Sequence, residues 1–291
     1  MLFLLAVFFL NGSAVDAQKA KTVSSTALLY RITGKGLKKP SYIFGTIHLI
    51  CPNDMFPAEV LKGYIKETSQ LLLEIKLDDP EVMKKAAEGA ILPAGKSVKD
   101  YLKPDEYQRV DELFKNYVGV SYDRFQTFRP NLVSSILLRS PKVIGCQGPV
   151  AYDNLLADTA TANKIPINGL ESVDAEFAAI NSEPMEKQVA ALSKTAADPE
   201  KTFGDFKKLY KLYQTQNADD IYGLTANDSD MDAKLQTKLL NDRNAAWIPV
   251  IGKYIKEKPS FIGVGSAHLG GPNGVLNLLR RKGYKLTPIK L

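Results

Sequence analysis

Apolar and polar positions alternate in three regimes along the chain. Near its start, Leu28-Leu29-Tyr30-Arg31-Ile32 and Ser41-Tyr42-Ile43-Phe44 are short β-rich runs separated by a Gly- and Lys-rich turn, which predicts two strands joined as a hairpin. Gly45-Thr46-Ile47-His48 ends the second strand. Pro57 opens an amphipathic helix with Val60, Leu61, Tyr64 and Ile65 at three-to-four spacing, and Gln70 to Leu77 returns as a short apolar strand. The C-terminal end repeats this order: a strand from Ser260 to Val264, the turn Gly270-Gly271-Pro272-Asn273-Gly274, a helix through Leu278 and Leu279, and a strand from Tyr284 to Ile289. Both ends read as right-handed parallel crossovers, and pairing between them would close one domain.

Residues 80–254 carry mostly helical periodicity, broken by Pro93, Pro104, Pro130, Pro149 and Pro184 and by one short apolar run at Ile165-Pro166-Ile167. The expected fold class is therefore α/β, of the α+β kind. A central mixed sheet would be built from two pseudo-symmetric strand-GxxH-helix-strand units, at 28–79 and 255–291, with the helical insertion 80–254 between them. All of this would lie in a single domain spanning 18–291. Within the insertion Phe203, Phe206, Leu209, Tyr210 and Tyr213 form an aromatic stripe beside Lys207, Lys208 and Lys211. Such a stripe is either a packed core face or a face that grips a membrane surface or substrate.

The stretch Leu2 to Leu10 holds nine apolar residues, too few to span a bilayer, and Val15 and Ala17 precede a plausible cut before Gln18. Residues 1–17 are thus expected to be a cleaved signal peptide, placing the mature chain in the periplasm or outside the cell with no transmembrane span. The 38 basic and 32 acidic residues give +6 over 291 residues. No Lys/Arg run interleaves with aromatics, so nucleic-acid binding is excluded. Cys51 and Cys146 are too few for a cysteine-based zinc site; in an exported chain they either form one bridge or remain free buried thiols. Asn227-Asp228-Ser229 matches a glycosylation sequon, a match of low specificity.

The chain has two histidines, each three residues after a glycine at the end of a predicted strand: Gly45-Thr46-Ile47-His48-Leu49 and Gly265-Ser266-Ala267-His268-Leu269. With 20 glycines in 291 positions, this shared offset argues against accident. A histidine in that place lies beyond the C-terminal edge of its strand, where open α/β sheets bind ligands. Two such units side by side would bring two imidazoles to one mouth, a metal-ligand arrangement once a carboxylate joins them. Glu74 is the candidate carboxylate, because a charge within Leu71-Leu72-Leu73-Glu74-Ile75 is costly without a cation or a metal. Arg243, near the start of a helix, either binds a carboxylate or oxyanion or is a solvated surface residue. Glu171, in Gly169-Leu170-Glu171-Ser172, is either a base or a charge favoured by the helix N-terminus it precedes.

Taken together these residues resemble the TraB/PrgY/GumN family, which shares its domain with the Tiki metalloproteases. The resemblance rests on the paired GxxH motifs, the Glu after the first, Gly169-Leu170-Glu171-Ser172, Arg243-Asn244, and the closing run through Gly283-Tyr284, and it covers 28–291. It implies a fold related to the erythromycin esterase and ChaN-like group and a manganese- or cobalt-dependent peptidase, with zinc also compatible. Carried over residue by residue, it implies His48, Glu74 and His268 as ligands of a divalent metal ion. Arg243 then becomes a substrate or transition-state contact and Glu171 a proton shuttle. Such a site would activate water for hydrolysis of a peptide, or of a small-molecule ester. The alternative is a non-catalytic protein that binds a peptide, haem or metal. HExxH helices, phosphate-binding glycine loops and GxSxG elbows do not occur in the sequence.

Overall fold

A computed structural model describes residues 25–226 and 233–291; the expected leader at 1–17 and the sequon at Asn227 lie outside them. The chain begins with β1 (Leu29–Thr33), β2 (Ser41–Thr46), α1 (Ala58–Lys66) and β3 (Gln70–Leu73). There follow α2 (Pro80–Gly89), α3 (Pro104–Tyr117), α4 (Pro130–Leu138), α5 (Pro141–Ile144), α6 (Tyr152–Ala162) and β4 (Ile167–Gly169). Next come α7 (Val173–Ile180), α8 (Met185–Ala197), α9 (Pro199–Gln214), α10 (Ala218–Ala226) and α11 (Ala233–Gln236). A π-helical turn (Thr237–Asn241) runs into α12 (Asp242–Glu257), and β5 (Ser260–Gly265), α13 (Val275–Arg281) and β6 (Lys285–Ile289) complete the chain. Helices α2, α3, α4, α5 and α9 each carry proline in their first turn, where the missing N–H has no helical partner to lose. Prolines in this region therefore start helices more often than they interrupt them.

The strands form one mixed sheet in the order β4-β3-β5-β2-β1-β6. The hairpin pairs antiparallel, with Leu29 opposite Phe44, and β6 pairs antiparallel with β1 on its other side. Strand β5 lies between β2 and β3, parallel to both, with Phe261 opposite Tyr42 on one side and Leu71 on the other. The two ends of the chain do pair, as expected. Neither crossover, however, joins neighbouring strands: β5 separates β2 from β3, and β2 and β1 separate β5 from β6. The apolar run near Ile165, read as part of the insertion, supplies β4, which extends the sheet beside β3.

Strands β2, β3 and β5 are buried almost throughout, as parallel strands covered by helices on both faces must be. Their core takes in Tyr152, Leu156 and Ala160 of α6 and Trp247, Ile251 and Ile255 of α12. Gly45 allows this closeness, since a Cβ there would lie 2.7 Å from a Leu269 methyl. A second hydrophobic cluster, built on Val110, Phe114, Tyr122, Val133 and Leu192, holds α3, α4 and α8 together. The aromatic stripe of α9 spans both clusters. Phe203 packs on Tyr117 in the second, while Tyr213 is buried in the first and donates its hydroxyl to the Gly45 carbonyl at 2.9 Å. The stripe is thus a packing face. Cys51 and Cys146 are joined in a disulfide, their Cα atoms 6.0 Å apart, which settles the question the sequence left open. No described helix is long and apolar enough to cross a membrane.

Candidate functional site

The parallel strands β2, β5 and β3 end side by side, with Thr46 opposite Gly265, so the loops that leave them share one edge. Those loops carry His48, His268 and Glu74. Glu74 stands one residue beyond β3, not within an apolar strand reaching Leu77 as the sequence suggested. The strand stops because the Glu74 carbonyl accepts the N–H groups of Leu170 and Glu171 in the turn after β4. Its carboxylate turns the other way and accepts the Gly265 N–H at 2.7 Å.

Each imidazole is held through Nδ1. His48 Nδ1 lies 2.9 Å from Asp153 Oδ2, and the other Asp153 oxygen accepts from the Thr46 hydroxyl at 3.1 Å. This leaves His48 Nε2 without a bond at the mouth, where the side chain is 70% exposed. The hydrogen bond to Asp153 raises the His48 pKa to about 9. His268 is buried, with Nδ1 2.6 Å from Asn244 Oδ1. Because the Asn244 amide donates to the Asn273 carbonyl at 3.0 Å, its oxygen must face the ring, so Nδ1 carries the proton and Nε2 offers a lone pair. Burial pulls the His268 pKa down to about 4, keeping the ring neutral; Trp247 packs 4.5 Å from it.

Arg243 sits at the centre of the acidic groups. The π-helical turn before it leaves the Leu239 carbonyl 3.3 Å from Nη1, and π turns of this kind recur at functional positions. Nη2 donates to Glu74 at 2.6 Å and to Glu171, which also accepts from Nε at 2.8 Å; Glu176 lies 3.7 Å away. Nη1 approaches His268 Nε2 at 3.3 Å. Among the described residues, Glu74, Glu171 and Glu176 form the one group of His, Cys or acidic donors whose ligand atoms lie within 4.8 Å of one another. Burial pushes the Glu74 carboxyl up, but His268, Arg243, His48 and the Gly265 N–H outweigh it and hold the group at about 2. Burial and the neighbouring Glu74 raise Glu176 to about 7, against Arg243.

A cleft of about 250 Å³ opens onto this edge, lined by His48, Leu73, Glu74, Asp153, Asn154 and Glu176 among others. Two of its lining residues, His48 and Glu74, also face Gly265. A Cβ at Gly265 would stand 3.3 Å from Glu74 Oε1, 3.5 Å from His268 Cδ2 and 3.9 Å from His48 Nε2, so the bare backbone keeps open the space these three residues share.

The five residues singled out from the sequence, His48, Glu74, Glu171, Arg243 and His268, lie along this one edge; Arg243 joins Glu74, Glu171 and His268, while the ligand atoms of His48, Glu74 and His268 do not all come within 4.8 Å of one another. Sequence reasoning missed Asp153, Asn244 and Glu176. Asn244 follows Arg243 directly and Glu176 lies one helical turn beyond the Glu171 segment, so both had a local signal. Asp153 is buried in the first turn of α6 and had none.

The sequence model of the TraB/PrgY/gumN family matches residues 28–288. Among curated proteins the chain is 22% identical to "Metalloprotease TIKI1" of Danio rerio over 85% of this chain and 60% of that protein. It is 23% identical to "Metalloprotease TIKI2" of Xenopus tropicalis (85% and 57%) and 22% identical to "Metalloprotease TIKI1" of Homo sapiens (85% and 59%). The chain thus spans about 60% of the length of these relatives. No solved structure matches it. With the family pattern running through both histidine loops and the strands that carry them, this chain belongs to the TraB/PrgY/gumN family.

Proposed function

We propose that this chain is an exported metal-dependent hydrolase acting on peptides, with His48, Glu74 and His268 holding a divalent ion. The observation that supports this reading is the convergence on the bare backbone of Gly265 of His48 Nε2, Glu74 Oε1 and the Cδ2 edge of the His268 ring, whose Nε2 faces Arg243 Nη1. The donor chemistry fits such an ion, since two imidazoles each oriented through Nδ1 by an oxygen acceptor form the usual outer support of metal-binding histidines. When bound, the ion supplies Lewis acidity toward water and a substrate carbonyl. Family likeness favours manganese or cobalt, and zinc suits the same ligands.

The chain's own residues account for the remaining roles. Asp153 and Asn244 fix the two rings. Arg243, positively charged and 10% exposed, presents donors beside Glu74 and His268 to stabilise charge developing on a substrate oxygen. Glu171 was the sequence candidate for proton transfer; because it is gripped through both Nε and Nη2 of Arg243, we give it the task of fixing that guanidinium. Glu176 faces the cleft and titrates near neutrality, so it holds and returns the proton. Export is supported by the Cys51–Cys146 bond, which belongs to oxidising compartments, and by the leader-like residues 1–17. The periplasm or the extracellular space is the proposed location.

Elemental analysis of the protein beside a His48→Ala, His268→Ala double variant, each loaded with manganese, cobalt or zinc, tests the reading. One near-stoichiometric ion lost in the variant, together with cleavage of a peptide library by the loaded protein, supports it; equal metal content in both sinks it. A non-catalytic binding role is favoured by one observation, that Arg243 already neutralises Glu74. Intact peptide recovered bound after long incubation with loaded protein would decide for that role.

A further inference from the structure

A concavity of about 980 Å³, nearly four times the volume of the cleft at the strand edge, lies on the other face of α12. That helix turns Asn244 and Trp247 into the core and presents Ala245, Ile248, Pro249 and Gly252 to a groove completed by Leu278 of α13 and by Tyr284. The spacing 245, 248, 249, 252 is one helical face, and three of its four residues are too small to fill it. Pro249 has no N–H, so the Ala245 carbonyl on the groove wall is deprived of its helical donor. From Ala245 to Lys256 the wall runs about 16 Å, the length of roughly five extended residues.

The rim is cationic. Lys253 and Lys256 extend the same face of α12, Arg281 ends α13 with Lys282 just beyond it, and Lys35 reaches over Tyr284 from the hairpin, its Nζ 5.1 Å from the ring. Glu257 is the single acid lining the groove. This local excess reflects a segregation of charge along the whole sequence. Residues 253–291 hold eight Lys and Arg against one Glu, and residues 25–53 hold four against none, whereas residues 54–252 hold 24 against 30. The mild net charge therefore hides a positive excess in the hairpin and the C-terminal unit, five of whose cations line this groove.

We propose that the groove between α12 and α13 docks an acidic peptide segment bearing apolar side chains. Apolar side chains of such a segment cover Pro249 and Leu278, its carboxylates meet the lysine and arginine rim, and a backbone N–H meets the Ala245 carbonyl. An anionic bilayer would answer the rim alone, since a lipid surface is broad and brings no peptide N–H to the wall. Docking here is independent of the hydrolase reading, because no residue of the groove belongs to the strand-edge site.

Isothermal titration calorimetry on the protein in EDTA tests this, with an acetylated octapeptide alternating Glu and Leu and its counterpart alternating Lys and Leu. The expected result is saturable one-to-one binding of the acidic peptide, none of the basic one, and weakening as salt rises. Gly252→Leu fills the wall without changing charge and should weaken binding at least tenfold. The variant should fold, since a Cβ at Gly252 meets only the Tyr284 hydroxyl at 3.5 Å. Lys253→Glu with Lys256→Glu should weaken binding at least tenfold and flatten its salt dependence. Absence of saturable binding overturns the proposal, as does acidic-peptide binding that Gly252→Leu leaves intact. Displacement of the peptide by phosphatidylglycerol vesicles that pellet the protein would overturn it in favour of a lipid surface.

Discussion

Replacing Gly265 by alanine tests the proposed metal site separately from the fold. Its backbone, at φ −52° and ψ 136°, is open to any L-residue, so the substitution carries no conformational strain. The N–H bond to Glu74 survives, and the new methyl stands 3.3 Å from Glu74 Oε1, 3.5 Å from His268 and 3.9 Å from His48 Nε2. A neighbour must give by only a few tenths of an ångström in the metal-free protein. The unfolded chain meanwhile loses freedom worth about 0.4–1 kcal/mol, so metal-free stability should hold or rise slightly. An ion at the proposed site, by contrast, would lose space beside Glu74 and His48, and its binding should weaken roughly 10- to 100-fold, the range that disturbed ligand orientation produces. In thermal or denaturant unfolding, an ion at 100 times its dissociation constant stabilises the parent protein by about 2.7 kcal/mol. At the same concentration the variant should gain about 1.4 kcal/mol at the mild end and about 0.4 kcal/mol at the severe end. An undiminished metal-dependent gain in the variant would refute the placement of the site at Gly265.

The outer support predicts a similar loss from farther away: Asp153→Asn should weaken metal binding about 10- to 100-fold in equilibrium dialysis while leaving the fold intact. Because His48 must be neutral to bind an ion, its pKa of about 9 predicts affinity rising about tenfold per pH unit from 7 to 9, with one proton released per ion, read by calorimetry in buffers of differing ionisation enthalpy. In the metal-free protein, the raised His48 pKa contributes stability that is fully present below about 6.5 and lost as pH rises through 9. The depressed Glu74 pKa contributes above about 4.5 and is lost as pH falls toward 2. Arg243→Ala strands the buried Glu74 carboxylate and the half-buried Glu171 and Glu176 and should cost about 3–5 kcal/mol, part of which added divalent cation restores; no restoration in unfolding titrations would mean that the glutamates cannot share an ion. The disulfide closes a separation of 95 positions, for which loop-closure entropy sets a contribution of about 4.7 kcal/mol, so Cys51→Ser with Cys146→Ser should lose up to that amount in denaturant unfolding.

The outer units of the fold were legible because their hydrophobic runs are short, β-rich and punctuated by glycine and proline, and because one motif occurs twice. His48 and His268 stood out by their shared offset from glycine, and Glu74 by its apolar surroundings. The strand order was not legible: a crossover predicts parallel direction but not which strand will lie between its ends, and β5 takes the place between β2 and β3 through long-range packing alone. Asp153 was hidden for a related reason. In the sequence it is one acid near the start of a helix, and only the approach of α6 to the end of β2 gives it His48 as a partner. Glu74 was read as lying inside a strand because the apolar run continues through Ile75, whereas the competing bonds to its carbonyl end the ladder at Leu73.

The position of β5 has a consequence for how the molecule is made. It is the common neighbour of β2 and β3, yet it begins only at Ser260, long after both in the chain. Until then the middle of the sheet is an open slot flanked by two unpaired apolar edges, and its closure joins segments more than 180 positions apart. Such distant pairing is slow and leaves the chain exposed to aggregation while it waits. A chain threaded through a translocation channel from its N-terminal end would therefore reach the far side with Glu74 and His48 delivered, but apart from Arg243 and His268. The proposed site would stay incomplete during such transit and would be assembled only once residues 260–268 had arrived to fill the slot, a delay built into the strand order itself.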